Sequence, residues 1–446
     1  MGHLSFLTRA EIESLGPPTP EDLDETGVSE AFLRDLSLKN VARLPEATSA
    51  AVAERLRLPC ALTEEILYRL YREKLIEMRL QSTVGATCYA MLDHGWERLV
   101  RMESQNGYRG PAPVSLADYA QMTRLQAEPA RPASIETVRA AFSDLVLPES
   151  LIQTLGCVIN SRSSLFLSGL PGTGKTAVSE RIHAALSGSV WIPYAVEVDG
   201  QIIRIFDPRC HQEVPKKAAT PEHDRRWVEI VRPLIRVGGE FTLDNTALVW
   251  SETSRFYEAP LQVKANGGTL IIDDFGRQSV SPHSLLNRWI QPLERRVDFL
   301  TLNNGNKIEV PFEQLVVFSS SFDEREIVDE AFLRRLGYRA RMEMPTAAAY
   351  RKIFKRAASA IGITPDEASL KHLLNKYAQE KRPLRPCEPR DLLSRVNDLC
   401  RFESRPLQLT PELVDIAWRN YFGAAHCFEL HSAKLAIAEQ AQAVTV

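Results

Sequence analysis

Apolar and polar positions along the chain fall into two rhythms. From Val28 onward apolar residues recur at three- and four-residue intervals: Phe32, Leu33, Leu36 and Leu38, then Val41 and Leu44. Val52, Ala53 and Leu56 follow a Thr48-Ser49 cap, and Ile66, Leu67, Leu70 and Leu75 follow the Leu58-Pro59 break. This spacing predicts three short amphipathic helices, the third starting near Thr63. Ser82 to Leu92 is a β-rich hairpin candidate, and a helix carrying Trp96 and Leu99 is expected from Asp93. Further along, the apolar residues become consecutive: Leu165 to Leu167, Leu270 to Ile272 and Leu315 to Phe318. Such runs suit strands buried on both faces of a parallel sheet. Helices are expected around Ile152, Leu155 and Ile159 and over Leu285 to Leu293, and almost everything from about 346 to 422 reads as helical. Val196 to Phe206 predicts two strands about the Asp199-Gly200 turn, and Phe299 to Leu302 with Lys307 to Val310 predicts a hairpin about Asn303-Asn-Gly-Asn306.

The intervals between these elements suggest boundaries. Residues 1–27 are acidic and proline-containing and are expected as a flexible lead-in; 28–125 form a small α+β unit; Glu128 to Ala133 lies within a linker at 126–133. A core at 134–345, a helical lid at 346–422 and a tail at 423–446 complete the division. The stretch from about 209 to 262 is too long for a simple connection and carries Lys216, Lys217, His223, Asp224, Arg225 and Arg226 beside Trp227, Phe241, Trp250, Phe256 and Tyr257. Local core packing and a projecting functional segment are both open for it.

Composition changes this picture little. A net charge of −3 gives no global pull toward nucleic acid or anionic membrane. The seven cysteines are scattered without C-x-x-C spacing, which predicts free thiols and no structural zinc. With no signal pattern and no run long enough to cross a bilayer, a cytoplasmic location is expected. Cys210-His211 after Asp207 lacks a complementary ligand pair and is expected to be an exposed loop rather than a metal site. Residues 1–125 hold 14 Lys/Arg against 18 Asp/Glu, a net of −4, and Glu64 and Glu65 stand at the start of the third helix. That balance favours protein docking over DNA binding.

The chemistry concentrates in Gly169-Leu170-Pro171-Gly172-Thr173-Gly174-Lys175-Thr176, which fits G-x-x-x-x-G-K-[ST] between a predicted strand and a predicted helix. The glycines allow a tight turn that aims backbone N–H groups at a nucleotide's phosphates. Lys175 adds charge for the β- and γ-phosphates, and the Thr176 hydroxyl is a ligand for Mg²⁺. A second strand ends in Asp273-Asp274, at the carboxyl edge where open α/β sheets place ligands. Asp273 is the expected acid for Mg²⁺, and Asp274 the expected base orienting the attacking water.

With these motifs in this order, residues 134–422 resemble an AAA+ ATPase of the branch carrying a hairpin before sensor 1, closest to MoxR-like proteins. Gly267-Gly-Thr-Leu also resembles bacterial enhancer-binding activators. Val52-Ala-Glu-Arg-Leu56, Glu65 to Ile76 and Tyr89 to Trp96 resemble a winged helix-turn-helix domain. The resemblance implies an α/β fold with a P-loop parallel sheet flanked by helices, an all-α lid and an N-terminal winged-helix domain. It implies that Ser320 and Ser321 fall where a Thr-Asn pair is usual, Ser321 at sensor 1; that Arg335 is an arginine finger offered to a neighbouring subunit, with Arg334 as alternate; and that Arg390 is sensor 2. It places Leu145 and Val146 against the adenine. A finger acting in trans implies a ring, expected as a hexamer. The expected function is ATP–Mg²⁺ hydrolysis coupled to remodelling or assembling a protein partner. A DNA-acting ATPase or regulator is the alternative, and Asp-Asp in place of Asp-Glu, with serine at sensor 1, leaves a nucleotide-gated scaffold with weak hydrolysis as a third.

Overall fold

A computed structural model describes residues 8, 11–12, 16–80, 87–127, 132–186, 188–215, 223–323, 327, 330–364 and 366–423. Helices α1 (Glu30–Val41) and α2 (Ser49–Leu56) begin where a hydroxyl caps the first turn: Ser29 accepts from the Phe32 N–H and Thr48 from the Ala51 N–H. Helix α3 (Cys60–Arg72) starts directly after Pro59, three residues earlier than its apolar spacing suggests. Strands β1 (Ala47–Thr48), β2 (Ile76–Leu80) and β3 (Thr87–Met91) form an antiparallel sheet in the order β1-β3-β2. Helix α4 (Asp93–Gln105) follows it. Leu33, Leu36, Val52, Leu56, Ile66, Leu70, Ile76 and Leu99 form the core of this unit. The turn between β2 and β3 lies outside the described residues.

Strand β4 (Val114–Ser115), helix α5 (Leu116–Ala127) and helices α6 (Ile135–Ala141) and α7 (Glu149–Ser161) lead to β5 (Leu165–Gly169) and α8 (Lys175–Ala184). Then come β6 (Ser189–Pro193), β7 (Ala195–Val198), β8 (Gln201–Arg204), β9 (Trp227–Val231), β10 (Leu234–Val237), β11 (Val249–Ser251), β12 (Phe256–Glu258) and β13 (Thr269–Ile272). Helix α9 (Pro282–Arg295), the hairpin β14 (Val297–Thr301) and β15 (Lys307–Pro311), then β16 (Leu315–Ser320) and β17 (Tyr338–Met342), complete the sheet-bearing part. Four helices close the described chain: α10 (Ala347–Ala360), α11 (Glu367–Gln379), α12 (Glu388–Phe402) and α13 (Pro411–Phe422).

The fold is α/β. Its central sheet is parallel, in the order β10-β13-β16-β5-β17, with Leu270 beside Val316 and Val317 beside Leu165. Successive side chains point to opposite faces, and both faces are covered. Phe166, Leu270, Ile272 and Phe318 pack with Leu285 and Trp289 of α9, whereas Leu165, Leu167, Ile271 and Val317 pack with Leu155 of α7 and Val178 of α8. Burial on both sides explains why these strands read as unbroken apolar runs.

Beside it stands a second sheet, β11-β12-β8-β7-β4, which answers the question left by the long stretch after residue 206. That stretch supplies β9 against β6, β10 to the central sheet, and the β11–β12 hairpin to the second sheet. Trp227, Phe241 and Tyr257 are buried, so these aromatics are core. Lys216 and Lys217 lie outside the described residues. The β7–β8 pair turns at Asp199 and Gly200, both at positive φ.

Two expectations require correction. Residues 16–27, expected within a flexible lead-in, are packed: Leu23 and Thr26 are buried, and the Asp224 N–H donates to Pro17 O. A few apolar side chains anchor this stretch despite its acidic composition. Gln126 and Ala127, expected to begin a linker, are the end of α5. Gln126 is buried, accepts from the Trp191 N–H at 2.6 Å and donates to Trp191 O at 3.0 Å. Most of the remaining linker, the tail beyond 423 and Asp329 lie outside the described residues. Among the described residues, no helix is long and apolar enough to cross a membrane.

Candidate functional site

The loop from Gly169 to Thr176 connects the end of β5 to the start of α8, so eight residues turn from a buried strand into a helix N-terminus. Gly172 and Gly174 have φ of +84° and +93°, values that side-chain-bearing residues rarely adopt. The last residue before the helix is Gly174, leaving the first-turn N–H groups and the positive end of the helix dipole directed at the loop. Thr173 ties the turn together, its hydroxyl donating to Leu170 O at 2.9 Å.

Lys175 is only 7% exposed, and its ammonium donates to Gly169 O at 2.7 Å, Leu170 O at 3.2 Å and the Ser321 hydroxyl at 3.3 Å. Burial pushes its pKa down; Asp274 and Asp273 push it back up, and Arg277 lowers it again. The Thr176 hydroxyl donates to Asp273 Oδ2 at 2.9 Å. A hydroxyl and a carboxylate together at a helix N-terminus are hard oxygen donors of the kind that hold Mg²⁺ with water and phosphate oxygens. Sequence positions 97 residues apart thereby meet because β13 and β5 flank β16 in one sheet.

Asp274 follows with φ of +48°, a left-handed conformation that aspartate tolerates better than most residues, and its side chain is exposed at the sheet edge. Ser321 stands beside Lys175. Ser320 does not face the site: it is fully buried, and its hydroxyl donates to Phe275 O at 2.7 Å. Arg335 is exposed and pairs with Glu294 at 3.4 Å, and Arg334 is exposed too. Arg390 is also exposed and pairs with the adjacent Asp391 at 3.3 Å. The lid atoms nearest to Gly172 belong to Cys387 and Arg385; a Cβ built on Gly172 would lie 2.8 Å from Cys387 Sγ and 3.4 Å from Arg385 Cδ. Leu145 meets the lid through its carbonyl, which accepts from Arg356 at 2.9 Å.

Three neighbours of this loop were not singled out from the sequence: Gln278, Arg277 and the Arg385–Cys387 segment. None has a motif, and each is recognisable only from the turn or contact it makes. His211 is buried rather than exposed as expected. Its Nδ1 accepts from the Asp207 N–H at 3.1 Å, and its Nε2 lies 2.9 Å from Lys264 O. Both ring nitrogens are engaged by backbone, and Asp207 pairs with Lys264 at 2.8 Å. Among the described residues there is no cluster of three or more His, Cys, Asp or Glu side chains fit for a metal.

Comparison with known proteins adds the following. Residues 346–420, most of the terminal four helices, match a domain family of unknown function, DUF8689. No functionally curated protein matches the sequence. Among solved structures, the chain is similar to the Thermotoga maritima RuvB Holliday junction branch migration motor, at 14% identity over 66% of this chain and 72% of that one, with a TM-score of 0.34. It is similar also to Brucella abortus NtrX in complex with ADP, at 15% identity over 62% of this chain and 56% of that one, with a TM-score of 0.38.

Proposed function

We propose that this chain is an AAA+ ATPase that binds and hydrolyses ATP–Mg²⁺ and uses the cycle to remodel or assemble a protein partner. The observation carrying the reading is the convergence of Lys175, Thr176 and Asp273 at the N-terminus of α8, with Thr176 Oγ1 and Asp273 Oδ2 2.9 Å apart. The loop amides and Lys175 hold the phosphates, and Thr176 and Asp273 hold Mg²⁺, which when bound neutralises charge on the phosphate oxygens. Asp274 orients water from the sheet edge and Ser321 holds the Lys175 ammonium in register. Arg335, exposed and paired with Glu294 within its own chain, is the candidate finger for a neighbouring subunit's site in a ring, and Arg390 is the candidate reporter of the C-terminal helices.

The partner is proposed to be protein, docking through the N-terminal winged-helix-like unit. Its basic side chains are largely engaged: Arg69 with Glu30 and Glu65, Arg34 with Glu73, Arg98 with Asp35, and Arg109 with Glu103. Tyr68, Tyr71, Trp96 and Val100 are exposed on the same unit. These pairings withdraw part of the unit's positive charge from a duplex, and exposed aromatics suit a protein surface.

Steady-state ATP turnover against protein concentration, for wild type and Asp274→Asn, tests the reading. Turnover rising cooperatively with concentration and collapsing in the variant supports a ring with shared sites. Tight ATP binding without turnover, alone or with partner, would replace hydrolysis by nucleotide gating, and absent ATP binding would sink the proposal.

A further inference from the structure

The loop that follows Asp273 is built around one buried amide. Gln278 is 9% exposed; its Oε1 accepts from the Gly276 N–H at 2.9 Å, and its Nε2 donates to Asp273 O at 3.1 Å and Gly238 O at 3.3 Å. The Arg277 N–H donates to Asp274 O at 2.9 Å, closing the turn. Gly276 has φ of +100°, and a Cβ there would lie 3.1 Å from Phe322 Cδ2, so only glycine lets this turn rest against the Phe322 ring. The next side chain then lies over that ring, with Arg277 Cζ 5.7 Å from its centroid.

This places Arg277 over the ring that follows the strand end carrying Ser321. Phe322 directly follows Ser321, whose hydroxyl takes the Lys175 ammonium at 3.3 Å. Among the described residues none forms an ion pair with Arg277; its guanidinium is held by a ring face and by the rigid turn beneath it. An arginine without an ion-pair partner among the described residues, held over the ring that follows Ser321, is placed to take a polyanion, and a planar guanidinium suits two phosphate oxygens at once.

We propose that Arg277 is a nucleotide-contacting residue acting within its own chain, pairing with the terminal phosphate of ATP beside Lys175. The inference rests on the ATPase reading and extends it: Arg335 serves a neighbour's site, whereas Arg277 serves its own. Because ADP lacks the terminal phosphate, the residue discriminates between the two nucleotides.

The test is calorimetric binding of Mg–ADP and of a non-hydrolysable Mg–ATP analogue to the full chain, comparing wild type, Arg277→Ala and Arg277→Lys. Arg277→Ala is expected to lose about tenfold or more in affinity for the ATP analogue while ADP affinity stays within roughly twofold. Arg277→Lys, which keeps charge but loses the fork, is expected to recover part of the loss. An ATP-analogue affinity within about threefold of wild type in Arg277→Ala overturns the proposal. So does a parallel fall in ADP affinity, which would mark a collapsed turn. Failure of the wild type to bind either nucleotide would sink the ATPase reading itself, and this inference with it, before any variant is compared.

Discussion

Replacing Lys175 by alanine removes a half-caged ammonium and leaves Gly169 O, Leu170 O and Ser321 without their shared donor. Charge-assisted contacts contribute about 1.5–3 kcal/mol each, so ATP affinity is expected to fall at least about a hundredfold, as read by calorimetry. Asp274→Asn should bind ATP as wild type does and slow its turnover, because the bonds that hold the loop at Asp274 run through its backbone rather than its carboxylate; a variant with unchanged turnover would remove it from the reaction. His183 supplies a pH test. Burial and then Arg232 hold its pKa down at about 4, with Nδ1 3.0 Å from the Thr269 hydroxyl. The unfolded chain takes up a proton near pH 6.5 that the folded chain resists until about pH 4. Stability from this site is therefore complete above that window and lost as pH falls through it, by up to about 3 kcal/mol. Denaturant midpoints measured from pH 7 to 4 should fall less steeply in His183→Gln. Lys175, Thr176 and Asp273 were readable at this scale because their motifs are local, whereas the engaged ring of His211 was not, since its partner Lys264 lies 53 residues away.

Most helices and strands were legible as patterns. The β14–β15 hairpin follows the Asn-Asn-Gly-Asn signal, and the central strands follow their apolar runs. What patterns did not show is what each element touches. The hairpin tip is held by the second sheet: the Asn303 N–H donates to the Tyr257 hydroxyl at 2.6 Å, and Asn306 Nδ2 donates to Asp199 at 3.3 Å. The C-terminal helices touch the Gly169–Thr176 loop at Gly172, so Gly172→Ala combines a left-handed backbone with a Cβ 2.8 Å from Cys387 Sγ. This variant is expected to lose about 1–3 kcal/mol of stability and most nucleotide affinity, measured by chemical denaturation and calorimetry. Preserved stability with preserved affinity would mean that the lid contact yields without consequence.

At the scale of the molecule, segments far apart in sequence share cores. Tyr119 and Met122 of α5 pack with Val196, Ile203, Trp227, Tyr257 and Val310, while Ala195 and Ile202 of the second sheet join the core of the N-terminal unit. A fragment starting at residue 134, where the sequence suggests the ATPase core begins, strips β4 and α5 from this arrangement. It is expected to aggregate, because it bares the apolar face that α5 covers; soluble yield and melting of the fragment against the full chain check this. Arg226 joins three segments: it pairs with Asp224 at 2.8 Å and donates to Thr26 O at 2.7 Å and Pro113 O at 3.1 Å, both partners of the pair being 3% exposed. Arg226→Met should cost about 3–5 kcal/mol by leaving Asp224 buried and unpaired, and Arg226→Met with Asp224→Leu should recover much of it. The sequence by itself determined the strand–loop–helix around Gly169 to Thr176, the buried parallel strands and the helical C-terminal region, because each depends on neighbours within a few residues and on side-chain periodicity. Only the tertiary structure decided that residues 16–27 pack, that β4 and the long stretch after residue 206 build a second sheet, and that Arg277 lies over the Phe322 ring next to Ser321. Those outcomes depend on pairing and burial between segments tens to hundreds of residues apart, which no local pattern of apolar and polar positions encodes.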